Sequence, residues 1–205
     1  MDDQVLRGMA RWPDVPAVFG WLGLDRRGNW LLQGDPIANP TVTAYIGRNY
    51  ERDGAGRWFF QNGPQRVYVA LEYTPYVYRA LNTGGEPLRL ESHTGAPVTA
   101  LCGAWIDENG ALLIETEHGV GVVHDRDLEA TLPALVDADG NALGEDALEH
   151  AMGLVQTGHD APLWIKLGAS NLKVEPVRSS EVPKRFGYVA HPAELPDGKA
   201  VAAAR

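Results

Sequence analysis

The stretch from residue 57 to residue 81 constrains the fold more than any other, because it holds the longest run of β-branched and aromatic residues. Within it, Val67, Val69 and Leu71 alternate with other residue types and fall on one face. A period of two is typical of a strand with one buried face. Pro75 lacks the backbone donor that a sheet needs, so it predicts a bend where the strand ends. The stretch therefore predicts a β-hairpin at the centre of the fold.

Turns of the form Asp-x-x-Gly recur along the chain with strand-like segments around them. In the first half they occupy residues 25–28 and 53–56, on either side of a predicted helix. The second half repeats this order, with turns at residues 107–110 and 137–140. Glycine permits the positive φ that such turns often need. The repetition predicts an α+β protein with two similar modules, each a curved antiparallel sheet with a packed helix.

The predicted modules meet near residue 97. We expect an N-terminal module over residues 1–96 and a C-terminal module of similar plan over residues 97–191. Residues 192–205 are rich in Ala, Pro and Gly, and we expect this tail to be disordered. Capping residues and apolar spacing predict helices at about residues 40–50 and 145–155.

Composition and charge bound the class of function. The formal net charge is −9 and the isoelectric point is near 5.1, so nucleic acid and anionic membranes are unfavourable partners. A single cysteine allows no intramolecular disulfide, which fits a reducing compartment. The N-terminus has no apolar segment typical of a signal peptide, and no apolar run reaches membrane-spanning length. We expect a soluble cytoplasmic protein.

Three short motifs lie in the first half of the chain. They are a Gly-x-aromatic turn, a Pro-Ile pair before a helix and an acid-x-x-Pro-aromatic strand motif: Gly28, Trp30, Asp35, Pro36, Ile37, Glu72, Pro75 and Tyr76. With these motifs, residues 20 to 135 resemble a family of uncharacterised proteobacterial proteins. Tyr73 stands where the family has Asp. The resemblance implies a fold of repeated structural motifs and a role in signal transduction. No catalytic activity is attached to that family.

Cys102 is the first candidate for nucleophilic catalysis. A catalytic thiol needs a neighbouring base that favours the thiolate. Cys102 lies in the apolar, strand-like run from residue 99 to residue 105, and a lone buried cysteine behaves as a small hydrophobic residue. We therefore expect Cys102 to pack in the core.

The densest group of potential metal ligands is formed by Glu115, Glu117, His118 and His124. In a continuous strand the two glutamates would share one face and the two histidines the other. The spacing matches no zinc or calcium motif, and loop polarity with helix capping by Asp125 accounts for most of it. We expect neither a metal nor a cofactor.

Glu72 is the acidic residue that is hardest to explain by fold alone. It lies within a strand, where an acid is unusual unless it is exposed or paired. Arg66 and Arg79 lie near enough along the chain to pair with it. A cross-strand ion pair or a solvent-facing position is the structural explanation.

A binding cleft is the functional explanation for Glu72. Arg66 and Glu72 would supply its polar groups, and Trp30, Trp58 and Tyr76 its aromatic walls, since pockets combine apolar walls with few polar groups. Tryptophans more often pack in cores, so both interpretations stay open at this point.

The sequence favours a non-catalytic ligand- or protein-binding module, with a small molecule or a protein as partner. An exposed edge strand makes a homodimer plausible. The alternative is a small-molecule enzyme of hydrolase type that uses Glu72 and a histidine such as His118 or His124. A third hypothesis is a structural subunit of an assembly, which would expose a hydrophobic face from residue 12 to residue 24.

Overall fold

The protein, described by a computed structural model, forms two compact units. Three stretches of the chain are described: residues 1–12, 15–81 and 88–194. Unit 1 comprises Met1–Pro75 and Gly187–Arg205, and unit 2 comprises Tyr76–Phe186. Each unit has its own mixed sheet and a few helices. The predicted α+β class is therefore confirmed.

The division differs from the one expected from the sequence. The boundary was predicted near residue 97, whereas the chain divides after Pro75, because two strands that precede residue 97 join the second sheet. The described residues from 187 to 194 belong to unit 1. Residues 195–205, most of the predicted disordered tail, lie outside the described residues.

Unit 1 contains a six-stranded sheet and two helices. Its strands are, in chain order, β1 Val18–Leu24, β2 Trp30–Leu32, β3 Asp35–Pro36, β4 Tyr50–Arg52, β5 Trp58–Asn62 and β6 Gln65–Leu71. Its helices are α1 Asp3–Arg11 and α2 Pro40–Arg48. The strands lie in the order β3-β2-β1-β6-β5-β4.

Helix α2 begins where the sequence predicts. The side chain of Asn39 accepts hydrogen bonds from the backbone N–H groups of Thr41 and Val42, and Pro40 occupies the first helical position. These contacts satisfy donors that the first turn of a helix leaves without a partner. The predicted helix at residues 40–50 is confirmed.

The centre of the first sheet is a parallel pair. β1 runs parallel to β6, with Leu24 opposite Leu71, whereas all other neighbours in this sheet are antiparallel. A purely antiparallel sheet was therefore a wrong prediction. Parallel pairing needs a crossover connection, and here about forty residues separate the two strands in the sequence.

The core of unit 1 lies on one face of this sheet. Its buried residues come from five strands and α2: Leu22, Leu24, Trp30, Ile46, Tyr50, Trp58, Phe60, Val69 and Leu71. Val69 and Leu71 are fully buried on the face that the alternation predicts, while Val67 is half-buried. Burying each large apolar side chain contributes roughly 1.5 to 3 kcal/mol.

Unit 2 contains an eight-stranded sheet. Its strands are β7 Tyr76–Ala80, β8 Leu90–Ser92, β9 Leu101–Asp107, β10 Leu112–Thr116, β11 Gly119–Val123, β12 Leu135–Val136, β13 Trp164–Leu167 and β14 Ser170–Val177. Its α-helices are α3 Leu128–Thr131, α4 Glu145–Gln156 and α5 Val182–Arg185. Short 3-10 turns occupy Asp125–Asp127, Leu132–Ala134 and Ser179–Glu181. No helix in the described part of the chain is long and apolar enough to cross a membrane.

The two sheets repeat one strand plan. Unit 2 has the order β11-β10-β9-β14-β13-β12, with β7 and β8 added beyond β11, and this matches β3-β2-β1-β6-β5-β4 of unit 1 strand for strand. The central pair β9–β14 is parallel, as β1–β6 is. Helix α4 is an addition to unit 2, between β12 and β13. The prediction of two modules of similar plan is thereby confirmed.

All four Asp-x-x-Gly turns are built in the same way. In each, the Asp Oδ1 accepts from the backbone N–H groups two and four residues later. The Gly N–H donates to the Asp carbonyl, and the Gly φ lies between 80° and 82°. The turns are those that begin at Asp25, Asp53, Asp107 and Asp137. The aspartate and the glycine are therefore structural residues in every copy.

Candidate functional site

Trp30 and Trp58 lie on either side of Tyr50 in the core of unit 1. The ring centroids are 5.0 Å apart for Trp30–Tyr50 and 4.8 Å apart for Trp58–Tyr50. Trp30 is 2% exposed and Trp58 is 7% exposed. The two tryptophans therefore each pack against Tyr50 and stabilise unit 1. The ligand-binding role assigned to them stays a prediction.

Glu72 holds a turn. Its side chain is exposed, and its Oε2 accepts a 3.0 Å hydrogen bond from the backbone N–H of Arg26 in the turn at residues 25–28. The Arg26 guanidinium in turn lies 4.3 Å from the ring centroid of Tyr73. Arg79, one of its predicted partners, pairs with Asp127 within unit 2. The position of Glu72 is thus explained by local structure.

Arg66 belongs to a cluster of charged and aromatic side chains on the second face of the first sheet. Its guanidinium lies 4.6 Å from the ring centroid of Phe59 and is hydrogen-bonded to the hydroxyl of Tyr68. The Tyr68 hydroxyl also donates to Asp53 Oδ2 at 3.0 Å. Arg57 donates to that same carboxylate oxygen at 2.8 Å. The cluster ties β5, β6 and the turn at residues 53–56 together.

The pKa shifts in this cluster favour fixed charges. Burial, followed by the nearby Asp53 carboxylate, raises the pKa of Tyr68. Burial also raises the pKa of Asp53, but hydrogen bonds from Arg57 and Tyr68 outweigh it, so the pKa of this carboxyl lies below its ordinary value. Tyr68 therefore stays protonated and Asp53 ionised near neutral pH, which suits a structural ion pair better than proton transfer.

Tyr76, the fifth predicted residue, lies in unit 2 among other rings. Its centroid is 6.0 Å from Tyr78, 5.7 Å from His93 and 6.3 Å from His118. A methyl group on Gly121 would overlap the Tyr78 ring, because β11 runs beside β7. The glycine here therefore makes room for tyrosines on the neighbouring strand.

The candidate metal ligands are engaged locally. Burial raises the pKa of Glu117, but hydrogen bonds from Thr99 and Ala100 outweigh it and lower this pKa to about 2. His118 Nε2 lies 2.9 Å from the carbonyl oxygen of residue 97. His124 is 5% exposed and its Nδ1 accepts the backbone N–H of residue 126, which caps a 3-10 turn. Within the described stretches, no group of three or more His, Cys, Asp or Glu is placed to hold a metal.

Cys102 is exposed, so the prediction that it packs in the core was wrong. The reason is an irregularity in the ladder between β9 and β10. Gly103 pairs with Glu115 and Leu101 pairs with Thr116, which leaves Cys102 outside the pairing. A bulge of this kind turns a side chain out of the regular alternation.

The clearest candidate for a functional surface lies on the face of β1 opposite the core. Leu22 and Leu24 are buried, whereas Trp21, in the irregular stretch between Val18 and Leu22, is 53% exposed. Gly23 on the same face lies next to Leu31 and the backbone of Ala70. We call Trp21, Gly23, Leu31 and Ala70 the Trp21 face; it is apolar, and Gly23 and Ala70 keep it shallow.

The corresponding face of unit 2 is covered. Trp105 lies on β9 two residues before its Asp-x-x-Gly turn, and its ring lies across Gly103. Phe186 packs edge-on against Trp105 at 4.9 Å, and the Arg185 guanidinium lies 5.1 Å from its ring. Glu175 accepts hydrogen bonds from both Trp105 Nε1 and Arg185. These contacts leave Trp105 only 7% exposed.

The sequence contains a signal for this difference that was missed. β1 ends with Trp21-Leu-Gly23-Leu before Asp25, and β9 ends with Gly103-Ala-Trp105-Ile before its own Asp. The tryptophan and the glycine have exchanged places on one face of equivalent strands. Aligning the two halves on their Asp-x-x-Gly turns would have revealed the exchange.

Comparison with known proteins gives the fold and the family. No curated protein matches the sequence. The structure is similar to the crystal structure of a DUF1285 family protein from Silicibacter pomeroyi DSS-3, with a TM-score of 0.52 and 14% identity over 80% of this chain and 85% of that chain. A DUF1285 family protein from Shewanella baltica OS155 gives a TM-score of 0.39 and 12% identity over 54% of this chain and 89% of that chain. A family model described as "Protein of unknown function (DUF2946)" matches residues 1–193, and the chain therefore belongs to this family.

Proposed function

We propose that this protein is a non-catalytic protein-binding module whose Trp21 face binds a short helical segment carrying arginine followed by an aromatic residue. The observation that supports it most is the contrast between Trp21, 53% exposed, and Trp105, 7% exposed on the same face of the repeated plan. Large exposed aromatic side chains on an apolar patch are typical of interaction sites.

Unit 2 supplies the template for the partner. There the residues after β14 form α5, and they place Arg185 and Phe186 on Trp105. In unit 1 the residues after β6 run from Glu72 to Pro75, where the unit's first segment ends, and form no helix. A segment with the chemistry of α5 from another protein would supply what the repeat lacks at this place.

The composition of the Trp21 face supports the same partner. Ala70 lies opposite Gly23 in the register where Glu175 lies opposite Trp105. The face therefore offers apolar area and a tryptophan ring for cation–π contact with arginine, but no carboxylate at this position. The partner must bring its own acceptor for its arginine, so we expect an acidic residue within the same segment.

The carboxyl groups with shifted pKa values lie in separate places, which favours binding over catalysis. An enzyme brings its titratable groups together, with shifted pKa values, in one cleft. Here the carboxyls of Asp53, Glu108, Glu117 and Asp137 have lowered pKa values in four separate turns or loops, and each accepts backbone hydrogen bonds there. Glu72, the acid required by the hydrolase alternative, likewise holds a turn.

A signalling role, which the family resemblance implies, would operate through such binding. We also propose the cytoplasm as its site of action, because a single exposed cysteine gives the chain no internal disulfide. A homodimer through the Trp21 face is the competing arrangement.

A defined peptide tests the proposal. The probe is a synthetic peptide with the sequence of residues 178–186, RSSEVPKRF, which contains α5 and Phe186. Titrated into the full-length protein by calorimetry, it should bind with a dissociation constant on the order of 100 µM, as expected for a small interface. Trp21→Ala should weaken binding by about tenfold or more. Trp12→Ala, which removes another exposed tryptophan, should leave binding unchanged.

Two controls make the result decisive. A peptide with alanine in place of Arg185 and Phe186 should not bind. Equal binding by wild type and Trp21→Ala, or no binding by the wild type, would contradict the proposal. A concentration-dependent dimer in sedimentation velocity that Trp21→Ala converts to monomer would instead identify a second copy as the occupant.

A further inference from the structure

Residues 187–190, Gly-Tyr-Val-Ala, contact unit 1 through one isolated β-bridge and a few hydrogen bonds; we call them the closing segment. The backbone N–H of Val189 donates to the carbonyl of Gly56 at 2.9 Å, and the N–H of Leu71 donates to the carbonyl of Ala190 at 2.7 Å. Val189 also forms a parallel bridge with Arg57. The segment therefore contacts both the turn at residues 53–56 and the end of β6.

A tyrosine anchors the closing segment. Tyr188 is 5% exposed, and its hydroxyl donates to the carbonyl oxygen of Tyr73 at 2.8 Å. Burial raises the pKa of Tyr188, so the hydroxyl stays a donor throughout the physiological range. One buried aromatic ring with a satisfied hydroxyl is the usual anchor of a recognised peptide.

The acceptor is shaped for a small residue before the tyrosine. A methyl group on Gly56 would overlap the carbonyl oxygen of Gly187, and Arg52 donates a hydrogen bond to that same oxygen. Gly187 has a φ of 64°, which favours glycine at this position of the peptide. By contrast, Val189 is 37% exposed, so the residue after the tyrosine is weakly specified.

We propose that this part of unit 1, formed by Arg52, Gly56, Leu71 and Tyr73, is an acceptor site for a peptide of the pattern glycine, tyrosine, any residue, small residue. The closing segment is its occupant within the same chain and is releasable. Strand addition of this kind draws affinity from backbone hydrogen bonds and specificity from one side-chain pocket.

The closing segment is held by few contacts, which is why it opens before the rest of unit 1. Two backbone hydrogen bonds, the bond from the Tyr188 hydroxyl and the bond from Arg52 to the Gly187 carbonyl hold four residues. Short segments with few hydrogen bonds open at the low end of the range of local stabilities, and here Tyr188 is the one buried side chain of the four. Release exposes the acceptor to a competing peptide without unfolding the core around Trp30 and Trp58.

The test separates the acceptor from its occupant within the full-length protein. Val189→Pro removes the N–H that donates to Gly56 and leaves every acceptor residue unchanged. A fluorescent peptide with the sequence of residues 186–194, FGYVAHPAE, should bind the Val189→Pro protein saturably in fluorescence anisotropy. It should bind the wild type at least about tenfold more weakly, because the wild-type segment competes at high effective concentration. The same peptide carrying proline at the Val189 position is the matched control and should bind neither protein.

Absence of peptide binding to the Val189→Pro protein, or equal binding to both proteins, would overturn the proposal. Hydrogen exchange on the wild-type protein tests the proposal even if the Val189→Pro variant fails to fold. The amides of Leu71 and Val189 should exchange together and faster than that of Val69. If Leu71 and Val189 exchange as slowly as Val69, the segment is not releasable and the proposal is wrong. Trp21→Ala should not affect this binding, so the outcome is independent of the Trp21 face.

Discussion

Units 1 and 2 have the same strand order, but their surfaces differ in charge and in exposed apolar side chains. Unit 1 contains ten acidic and ten basic residues, whereas unit 2 contains seventeen acidic and eight basic residues, so unit 2 carries the whole net charge of −9. Among the described residues, six of the eight exposed large hydrophobic side chains belong to unit 1. The buried plan has been kept while the two exteriors have diverged. The net charge thus belongs to unit 2, whereas most of the exposed apolar side chains belong to unit 1.

The sharpest test of this comparison is to remove the two tryptophans of the equivalent faces. Trp105→Ala should destabilise unit 2 by about 3 to 5 kcal/mol, because it deletes a buried ring packed between Gly103 and Phe186. Trp21→Ala should change the stability of unit 1 by no more than about 0.5 kcal/mol. Hydrogen exchange at the amides of β9 and β1 measures the two effects separately. Equal losses would contradict the view that only one of the two faces is covered.

The second comparison uses the glycines of two equivalent turns. Gly56 and Gly140 have φ values of 80° and 82°, so alanine is strained at either position by about 1 kcal/mol. Only at Gly56 would the methyl group also overlap another carbonyl oxygen, that of Gly187. We expect Gly56→Ala to destabilise unit 1 by about 3 kcal/mol. Gly140→Ala should destabilise unit 2 only by the backbone strain of about 1 kcal/mol. Urea unfolding of the two variants, monitored by hydrogen exchange of their backbone amides, would measure both losses of stability.

The third comparison replaces the aspartates of the same two turns. Asp53→Asn should destabilise unit 1 by about 2 kcal/mol, because Arg57 would lose its buried carboxylate partner. Asp137→Asn, in an exposed turn, should have a smaller effect. Thermal unfolding of the two variants measures the difference, and a larger loss for Asp137→Asn would reverse our interpretation of unit 1.

Both aspartates also predict a pH dependence of the same sign. The pKa of each is lowered from the ordinary value of 3.8. Their contribution to stability is fully present above pH 3.8 and is lost as the pH falls through the lower folded-state pKa. An acid titration of unfolding free energy should therefore show a decline below pH 3.8 that is shallower in the Asp53→Asn variant.

The smallest expected effect concerns salt. Raising the ionic strength from 0.01 M to 1 M shortens the Debye length from about 30 Å to about 3 Å. Repulsion within unit 2 should then weaken and its stability rise by up to about 1 kcal/mol, while the neutral unit 1 should change less. Residue-resolved hydrogen exchange at the two salt concentrations measures this. Equal stabilisation of both units would show that net charge does not distinguish them.

Local elements were predictable because their causes are local. The cap at Asn39, the alternation around Val69 and the helix at Glu145–Gln156 follow from short-range patterns, and all are present. The recurrence of Asp-x-x-Gly turns was also enough to predict two similar modules. An uncharacterised bacterial family was a further prediction, and membership of a family of unknown function confirms it at that level.

Long-range pairing was not predictable from the same patterns. Two contacts join residues that lie far apart in the chain: β1 pairs with β6, and Val189 contacts Gly56. No turn residue in the sequence predicts either contact. The exposure of Cys102 depends on a bulge whose register only the partner strand defines. The residue type alone does not distinguish a tryptophan in a core from a tryptophan on a surface. Trp30 and Trp58 could therefore be placed in a cleft on sequence grounds, while Trp21 entered only as part of the hydrophobic face considered from residue 12 to residue 24.

The return of the closing segment to unit 1 has a consequence for the order of events during synthesis. The last residue of the first part of unit 1 is Pro75, and the segment that completes it ends at Ala190. At typical translation rates those intervening residues take on the order of ten seconds to make. All strands of unit 2 leave the ribosome within that interval and can pair, while the Tyr188 pocket of unit 1 is still empty. A chain that terminates before Tyr188 therefore lacks the ring and the hydroxyl that contact Tyr73 in unit 1.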